Sequence, residues 1–323
     1  MGIREKNICC YFVAIIKKGI VYSSTGSHYR VKSEGQFYHC RIKGKFRIQD
    51  IKSTNPVAVG DAVSFELSPT EGLDSGVITH IEDRQNYIVR KSVNLSKQIH
   101  IIAANIDQVF LMITLKKPPT FPAFIDRFLV TAKAYEIDVV LVFNKMDLYE
   151  PKELKEMQSL KSIYQKIGYD CHEVVAKDLN TLEGIQKLMV KKVSMFSGHS
   201  GVGKSTLVNT LSPNLQLKTA VVSQQHQLGQ HTTTFAEMFD LEPQAKIIDT
   251  PGIKGFGVVD ILKEELSGYF VEMAPLRENC KFNNCLHTNE PHCAIKAAVE
   301  EGTIAPTRYK SYLQLLEDDA LYR

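Results

Sequence analysis

The feature that most constrains the fold of this sequence is a glycine-rich stretch that matches the pattern GxxxxGK[ST]. Its residues are Gly198, His199, Ser200, Gly201, Val202, Gly203, Lys204, Ser205 and Thr206. An apolar run typical of a β-strand precedes the stretch, and apolar residues with helical spacing follow it. A strand, a glycine loop and a helix N-terminus together hold phosphate through backbone N–H groups. We therefore predict a loop that binds a nucleoside triphosphate; the alternative is a glycine-rich turn with an unrelated lysine.

A second motif indicates which base the site takes. Its residues, Asn144, Lys145, Met146 and Asp147, match the NKxD pattern and follow an apolar run typical of a buried strand. A carboxylate at Asp147 can accept from both N1–H and the 2-amino group of guanine, a pair of donors that adenine lacks. We expect Asn144 to tie this loop to the phosphate loop and the stem of Lys145 to cover the base. The N–H of Ala176 is expected to contact guanine O6, although its Val-Ala-Lys run departs from the usual Ser-Ala-Lys. An ATPase is the alternative.

The residues expected to hold Mg²⁺ and the γ-phosphate come from two motifs. In the glycine loop, we expect Lys204 to reach the terminal phosphates and assist catalysis, and the Ser205 hydroxyl to bind Mg²⁺. The run Asp249-Thr250-Pro251-Gly252 matches the DxxG pattern. Asp249 is expected to hold Mg²⁺ through a water, and the Gly252 N–H to contact the γ-phosphate.

The loop between these two motifs contains the remaining catalytic candidates. A switch threonine should ligate Mg²⁺; Thr233 is our choice, with Thr232 and Thr234 as rivals. Ras-like enzymes place a glutamine after the DxxG glycine to orient the attacking water, whereas this chain has Ile253, which cannot hydrogen-bond water. We therefore expect slow intrinsic hydrolysis and take His231 as the group that orients the water. The alternative is that His231 contacts RNA or solvent.

The order of the motifs is unusual because the guanine motif precedes the phosphate loop, the reverse of ordinary GTPases. The same pocket forms if the sheet is circularly permuted, since the termini of a domain often lie close together. Alternating apolar strands and helices from residue 106 to about residue 263 predict a doubly wound α/β domain. The expected strands are 109–113, 139–143, 172–175, 193–196 and 246–248, and the expected helices are 122–135, 151–167 and 182–190.

The N-terminal part has a different pattern, with short β-like segments separated by turn residues. The expected strands are 11–16, 28–31, 36–42, 62–67 and 76–81, and residues 84–105 are expected to form a connector. Five short strands favour a small barrel of the OB type. Residues 1–95 carry 14 Lys and Arg against 9 Asp and Glu, and aromatic residues are interleaved with the basic ones (Tyr29, Phe37, Tyr38 and Phe46). This predicts a nucleic-acid partner; the alternative is a barrel core with solvated basic neighbours.

Cysteine is concentrated near the C-terminal end. Cys280, Cys285, His287 and Cys293 supply three thiolates and one imidazole, a set that saturates a tetrahedral ion, so we predict one structural zinc. His292 is a rival ligand to His287, and a redox or free-thiol cluster is the alternative. The odd total of seven cysteines and the lack of a signal-peptide pattern favour a reducing compartment.

Together these motifs resemble the ribosome small-subunit-dependent GTPase family (RsgA). The resemblance rests on the permuted order of NKxD, GHSGVGKST, GQHTTT and DTPG, on the preceding barrel, and on the Cys-x4-Cys-x-His-x5-Cys module. It implies a multi-domain protein: an OB-fold β-barrel (1–90), a circularly permuted α/β P-loop GTPase domain (91–262) and a mainly helical zinc-binding domain (263–323). It also implies binding to the small ribosomal subunit and its rRNA in late maturation, subunit-stimulated hydrolysis of GTP to GDP, and a water-orienting role for His231.

Three further expectations concern partners and location. A GTP-dependent RNA-binding switch with a non-ribosomal target is the alternative function. No apolar run approaches the roughly 20 residues that span a bilayer, so we expect a cytoplasmic protein without a membrane partner. Nothing in the sequence suggests an obligate dimer, and we expect a monomer.

Overall fold

The computed structural model describes residues 15–42, 56–68, 72, 74–91, 99–215, 236–250 and 261–317. Three predicted site residues, His231, Thr233 and Gly252, lie outside these ranges. The rival residues Thr232 and Thr234, together with Ile253 and Phe46, also lie outside them. In the part of the chain that is described, no helix has both the length and the apolar character needed to cross a membrane.

The N-terminal part is a closed five-stranded barrel. Its strands are β1 (Ile16–Thr25), β2 (His28–Ser33), β3 (Gln36–Ile42), β4 (Ala62–Leu67) and β5 (Ser75–Ile81). They pair in the order β1-β2-β3-β5-β4, and β4 pairs back to β1, which closes the barrel. All these pairs are antiparallel except β3 with β5. The pairing confirms the predicted OB-like barrel.

The first expected strand, 11–16, was misplaced. Residues 11–14 lie outside the described ranges, and the strand that joins the barrel starts at Ile16 and runs to Thr25. The strand contributes the fully buried Val21 to the barrel core, whereas Ile15 and Ile16 are about 60% exposed. The apolar run that drew attention in the sequence therefore precedes the strand that supplies the core.

The aromatic residues of the barrel divide between its core and its surface. Tyr29 and Tyr38 are buried among the core residues of the barrel, which is the alternative considered from the sequence. Phe37 is 37% exposed, with the guanidinium of Arg30 4.7 Å from its ring centre. Among the three of these aromatic residues that the structure describes, Phe37 alone is exposed.

The expected connector at 84–105 contains a two-stranded antiparallel sheet, which was not predicted from the sequence. Its strands are β6 (Tyr87–Lys91) and β7 (Ile99–Ala104). Ile88, Ile101 and Ala103 are buried, and Ala103 forms a bridge to Val59 in the loop that leads to β4. The hairpin thus packs the barrel against the next domain, and the expected boundary at residue 90 falls inside β6.

The central domain alternates strands and helices as predicted. Its elements are β8 (Gln108–Ile113), α1 (Pro122–Ala134), β9 (Asp138–Phe143), α2 (Pro151–Lys166), β10 (Asp170–Glu173), α3 (Glu183–Met189), β11 (Val193–Ser197), α4 (Lys204–Leu211), β12 (Glu237–Leu241) and β13 (Ala245–Asp249). The strand order is β10-β9-β8-β11-β13-β12, parallel except for β12. All six residues of β8 are buried because helices cover both faces of this sheet.

Strand β12, which was not predicted, connects the two sheets. It pairs with β13 on one side and, at Glu237, with Ser23 of β1 on the other. The Tyr22 hydroxyl donates to Asp240 at 2.6 Å, and Lys32 forms an ion pair with the same carboxylate. The barrel and the central domain therefore share one continuous eleven-stranded sheet.

The C-terminal part packs on helix α1. It contains short 3-10 segments, including Leu266–Tyr269 and Ala274–Asn279, followed by α5 (Ala294–Glu300) and α6 (Pro306–Glu317). Its core contains Leu266, Phe270, Ile295 and Tyr312 and also includes Val130 of α1. This shared core fixes the C-terminal part against the central domain.

Candidate nucleotide site and metal centre

The predicted phosphate loop lies between the end of β11 and the start of α4. Gly198, Gly201 and Gly203 have φ values of +136°, +84° and +105°, which residues other than glycine rarely adopt. A Cβ on Gly203 would lie 2.4 Å from the Asn144 amide nitrogen, and one on Gly198 would lie 2.6 Å from the carbonyl of Met112. Glycine is required at both positions because the loop approaches its neighbours so closely.

Lys204, the first residue of α4, folds back over this loop. Its ammonium donates to the carbonyls of Gly198 at 2.7 Å and His199 at 2.8 Å. Burial lowers the pKa of Lys204, and Asp249 opposes that effect with its negative charge. The ammonium is thus held in the loop, where a phosphate group would compete with these two carbonyls for its hydrogen bonds.

The side chain of Asn144 connects the loops that carry three of the predicted motifs. It is buried; its amide donates to the carbonyl of Val202 at 2.7 Å, and its oxygen accepts from the N–H of Ala176 at 2.9 Å. The base motif and the phosphate loop are therefore in contact despite their reversed order in the sequence. The N–H of Ala176 is already engaged, so a contact with guanine O6 would have to share this donor.

Lys145 and Asp147 lie on either side of Met146 in the turn that follows β9. Lys145 has φ +67°, and its ammonium donates to the carbonyls of Lys117 and Gly201. Burial lowers the pKa of Lys145. Asp147 is exposed, and no donor in the described part of the chain reaches its carboxylate. The amine secures the turn to the phosphate loop, and the carboxylate stays open to a ligand.

Tyr149 is a site residue that sequence reasoning missed. Its hydroxyl donates to the carbonyl of Asn144 at 2.8 Å and accepts from the N–H of Leu115 at 2.9 Å. Tyr149 is buried, and its two hydrogen bonds connect the base loop to the end of β8. A tyrosine two positions after the motif carries no pattern that would have identified it.

Two candidate Mg²⁺ ligands are described near Lys204: Ser205 follows it in the sequence, and Asp249 interacts with its charge. Ser205 is half-buried in the first turn of α4, and Asp249 ends β13. Burial raises the pKa of Asp249, whereas the charge of Lys204 lowers it, so the two groups influence each other. A hydroxyl and a carboxylate are oxygen donors of the kind that Mg²⁺ prefers. The residues present therefore fit the ion.

The other phosphate-loop residues differ in exposure. Ser200 is exposed, Thr206 is half-buried, and Val202 is fully buried in the core below α4. The His199 ring lies against Phe124 of α1, with ring centres 3.9 Å apart. The back of the loop is thus supported by the core and by an aromatic contact.

The predicted zinc ligands form one cluster. The ligand atoms of Cys280, Cys285, His287 and Cys293 all lie within 4.8 Å of one another. Nδ1 of His287 is 3.6 Å from the sulfur of Cys280 and 3.4 Å from that of Cys293, and these two sulfurs are 4.0 Å apart. Ligands about 2.3 Å from a tetrahedral zinc would have sulfurs about 3.8 Å apart. The cluster therefore fits such an ion.

Burial favours the neutral forms of the cluster residues when only protein surrounds them. It raises the pKa of Cys285 to about 12 and lowers the pKa of His287. A bound cation would reverse this preference at the thiols, because metal-bound cysteine is a thiolate. The rival ligand His292 is exposed and is not part of the cluster.

Comparison with known proteins matches nearly the whole chain. The family model described as RsgA GTPase matches residues 81–259, and the one described as RsgA N-terminal domain matches residues 18–78. A protein of Flavobacterium johnsoniae named small ribosomal subunit biogenesis GTPase RsgA is 61% identical over 302 residues, which is 93% of each chain. One of the same name from Christiangramia forsetii is 60% identical over 303 residues, covering 94% of this chain and 96% of that protein.

Two solved structures have the same arrangement. YjeQ from Thermotoga maritima superposes with a TM-score of 0.76 at 35% identity, over 96% of this chain and 100% of its own. YloQ, described as a circularly permuted GTPase, gives a TM-score of 0.72 at 29% identity, over 95% and 96%. Both comparisons span the barrel, the central domain and the C-terminal part.

Proposed function

The chain belongs to the RsgA GTPase family, and on this basis we propose that it hydrolyses GTP to GDP and phosphate in the late maturation of the small ribosomal subunit. The relatives named small ribosomal subunit biogenesis GTPase RsgA support the biological role. The observation that carries the chemical role is the bridge from Asn144 to Val202 and Ala176. It unites base and phosphate motifs that the sequence separates in reversed order.

The described residues have distinct roles in holding the nucleotide. Asp147 accepts from the two donors on the guanine edge, and Lys145 holds the turn that presents it. The amides of the phosphate loop and the ammonium of Lys204 surround the phosphates. We assign Ser205 and Asp249 to Mg²⁺, joined by Thr233, with the Gly252 N–H at the γ-phosphate. Mg²⁺, when bound, neutralises charge that develops on the phosphate oxygens.

Hydrolysis needs a group that orients water, because Ile253 cannot do so. We assign this task to His231, which precedes the switch threonines in the sequence. The phosphate loop and Lys204 stabilise charge but do not position water, so intrinsic turnover is slow. Binding to the small subunit completes the site and thereby raises the rate.

His231→Ala tests this assignment. We expect the variant to lose the subunit-stimulated rate while GTP affinity stays within about twofold of the unmodified protein, as measured by phosphate release and by nucleotide titration. His172→Ala is the matched control, because His172 lies in β10, outside the predicted nucleotide motifs and outside both parts proposed to contact rRNA. A stimulated rate that survives in His231→Ala would remove this residue from the mechanism.

The C-terminal cluster binds one structural zinc in this proposal, because four protein ligands leave no open position for catalysis. The barrel and the zinc module anchor the protein on rRNA, with the exposed Phe37 and the half-buried Arg30 as contact residues of the barrel. The protein acts as a monomer in the cytoplasm without a membrane partner. Residues 1–95, which include the barrel, carry 14 Lys and Arg and only 9 Asp and Glu, and this positive net charge supports a polyanionic partner.

The decisive experiment measures GTP hydrolysis with and without purified small ribosomal subunits. We expect stimulation by small subunits and none by an equal concentration of large subunits. Co-sedimentation with small subunits should require a nonhydrolysable GTP analogue in place of GDP. GTP turnover that ignores small subunits, combined with binding to unrelated RNA, would instead favour a switch with a non-ribosomal target.

A further inference from the structure

Ser267 lies directly behind the histidine of the metal centre. Its hydroxyl oxygen is 3.0 Å from Nε2 of His287, and both residues are about 1% exposed. The opposite ring nitrogen of His287, Nδ1, faces the sulfurs of Cys280 and Cys293. The imidazole is therefore placed between a cluster of thiols on one edge and a single buried hydroxyl on the other.

We propose that Ser267 is a positioning residue that orients His287 for metal binding. The inference rests on the zinc site of the proposed function. When Nδ1 of His287 binds a metal, the neutral ring carries its proton on Nε2, and that N–H needs an acceptor once it is buried. The Ser267 oxygen is that acceptor. Partners of this kind fix the tautomer and the ring orientation of metal-bound histidine.

The chain around Ser267 is itself rigidly held. Ser267 belongs to the 3-10 segment Leu266–Tyr269, in which Leu266 is fully buried in the same core as Val130 of α1. The hydroxyl thus belongs to a segment packed on the central domain, whereas His287 belongs to the cysteine-rich loop. The hydrogen bond between them connects the metal centre to the segment that follows the DxxG motif in the sequence.

The loop that carries His287 has further supports, and these define what Ser267 adds. The Tyr309 hydroxyl donates to the carbonyl of His287 at 2.6 Å, and the Tyr312 hydroxyl donates to that of Leu286 at 2.8 Å. Both bonds hold the backbone. The bond from Ser267 acts on the ring, so its loss should change metal binding more than it changes the loop.

The test measures zinc affinity of the full chain by competition with a metallochromic chelator. Loss of such a partner typically weakens metal binding by about 10- to 100-fold, and we expect this loss in Ser267→Ala. Ser267→Thr keeps the hydroxyl and should retain most of the affinity. Ser194→Ala is the matched control, because it removes another fully buried hydroxyl, bonded to Gln108 and remote from the cluster.

The outcomes separate this inference from the zinc site itself. An unmodified protein that binds no zinc overturns the proposed zinc site. An unmodified protein that binds zinc, with Ser267→Ala less than tenfold weaker, overturns the role of Ser267. An equal loss in Ser194→Ala also overturns it, since the effect would then be one of general stability.

A second measurement does not depend on a variant that folds. Two-bond ¹H–¹⁵N correlation spectra of the unmodified, zinc-loaded chain report which imidazole nitrogen carries the proton. We expect the His287 ring to be protonated on Nε2, with Nδ1 bound to zinc. A ring protonated on Nδ1 and metal-bound through Nε2 would overturn the inference, because Ser267 would then lie on the metal side of the ring.

Discussion

At the nucleotide site, the residue allowed at position 203 is limited by its close approach to Asn144. Gly203 has a positive φ, and its backbone approaches the Asn144 amide so closely that no Cβ fits between them. The same amide connects the base loop to the phosphate loop through Val202. A change at either residue therefore alters both halves of the site.

Gly203→Ala should abolish GTP binding while the protein stays folded. The added Cβ would lie 2.4 Å from Asn144 Nδ2 and displace the side chain that unites the loops. Nucleotide titration measures the loss, and circular dichroism verifies the fold. Gly26→Ala is the control, because Gly26 also has a positive φ (+63°) but has open space around it. Normal GTP affinity in Gly203→Ala would contradict the proposed site.

Asp147→Asn should exchange guanine for xanthine. Each charge-assisted hydrogen bond contributes about 1.5–3 kcal/mol, so weakening two of them predicts a loss of GTP affinity of about 100-fold or more. Xanthine carries an oxygen in place of the 2-amino group, and an asparagine amide can donate to it. Competition titration with GTP and XTP measures the exchange.

The control for this exchange is Asp138→Asn. Asp138 is an exposed carboxylate at the start of β9, at the opposite end of the strand from the base motif. Its replacement should leave both affinities unchanged. Tight GTP binding that persists in Asp147→Asn would show that this carboxylate does not read the base.

Among the elements, helices α1 and α6 are joined by a buried ionic network. Arg308 of α6, about 1% exposed, donates to Asp126 of α1 at 2.6 Å and to Glu272 at 2.7 and 3.0 Å. The Tyr164 hydroxyl of α2 also donates to Asp126. The C-terminal part is therefore bonded directly to α1, and Asp126 extends the buried network to Tyr164 of α2.

Arg308→Met should destabilise the protein by about 3–5 kcal/mol, because it leaves Asp126 and Glu272 buried without their cation. Urea unfolding measures the change in the free energy of unfolding. Lys187→Met is the control: it breaks an ion pair whose side chains are both more than two-thirds exposed, and we expect an effect below about 0.5 kcal/mol. Equal effects in the two variants would contradict a structural role for the network.

The elements also show what the sequence could and could not predict. The buried strands β8 and β9 were predicted because uninterrupted apolar runs signal a sheet covered on both faces. Strand β1 was misplaced because two lysines follow its first residue, after a more apolar run, and β6 was missed because it is only five residues long and ends in Arg90 and Lys91. Arg308 has the pattern of a surface residue, and its burial depends on Asp126, which is distant in the sequence. Motif residues could be proposed from the sequence because their chemistry is local.

At the scale of the whole molecule, the C-terminal part shares its core with the central domain, and the barrel does not share that core. The metal cluster lies in the core of the C-terminal part, where Cys285 and Cys293 are buried with Phe270 and Tyr312. That core extends to Val130 of α1, whereas the barrel has a separate core. Loss of the metal should therefore destabilise the C-terminal part and leave the barrel folded.

Zinc removal by a chelator should increase amide hydrogen exchange across 261–317 and leave the barrel strands β2 and β3 protected. Metal binding contributes directly to the stability of a module of this size. Mass spectrometry of peptic fragments measures the exchange, and addition of zinc should restore the protection. An equal rise in both regions would show that the metal stabilises the whole chain and not its C-terminal part.

The pairing of β1 with β12 has a consequence for any attempt to isolate the catalytic unit. With the barrel removed, β12 would become an uncovered border of the sheet, with unpaired N–H and carbonyl groups beside Glu237. Such borders recruit other strands, so a truncated protein that begins after the barrel is prone to self-association. The barrel thus protects the central domain from association through this edge strand, independently of anything that the barrel binds.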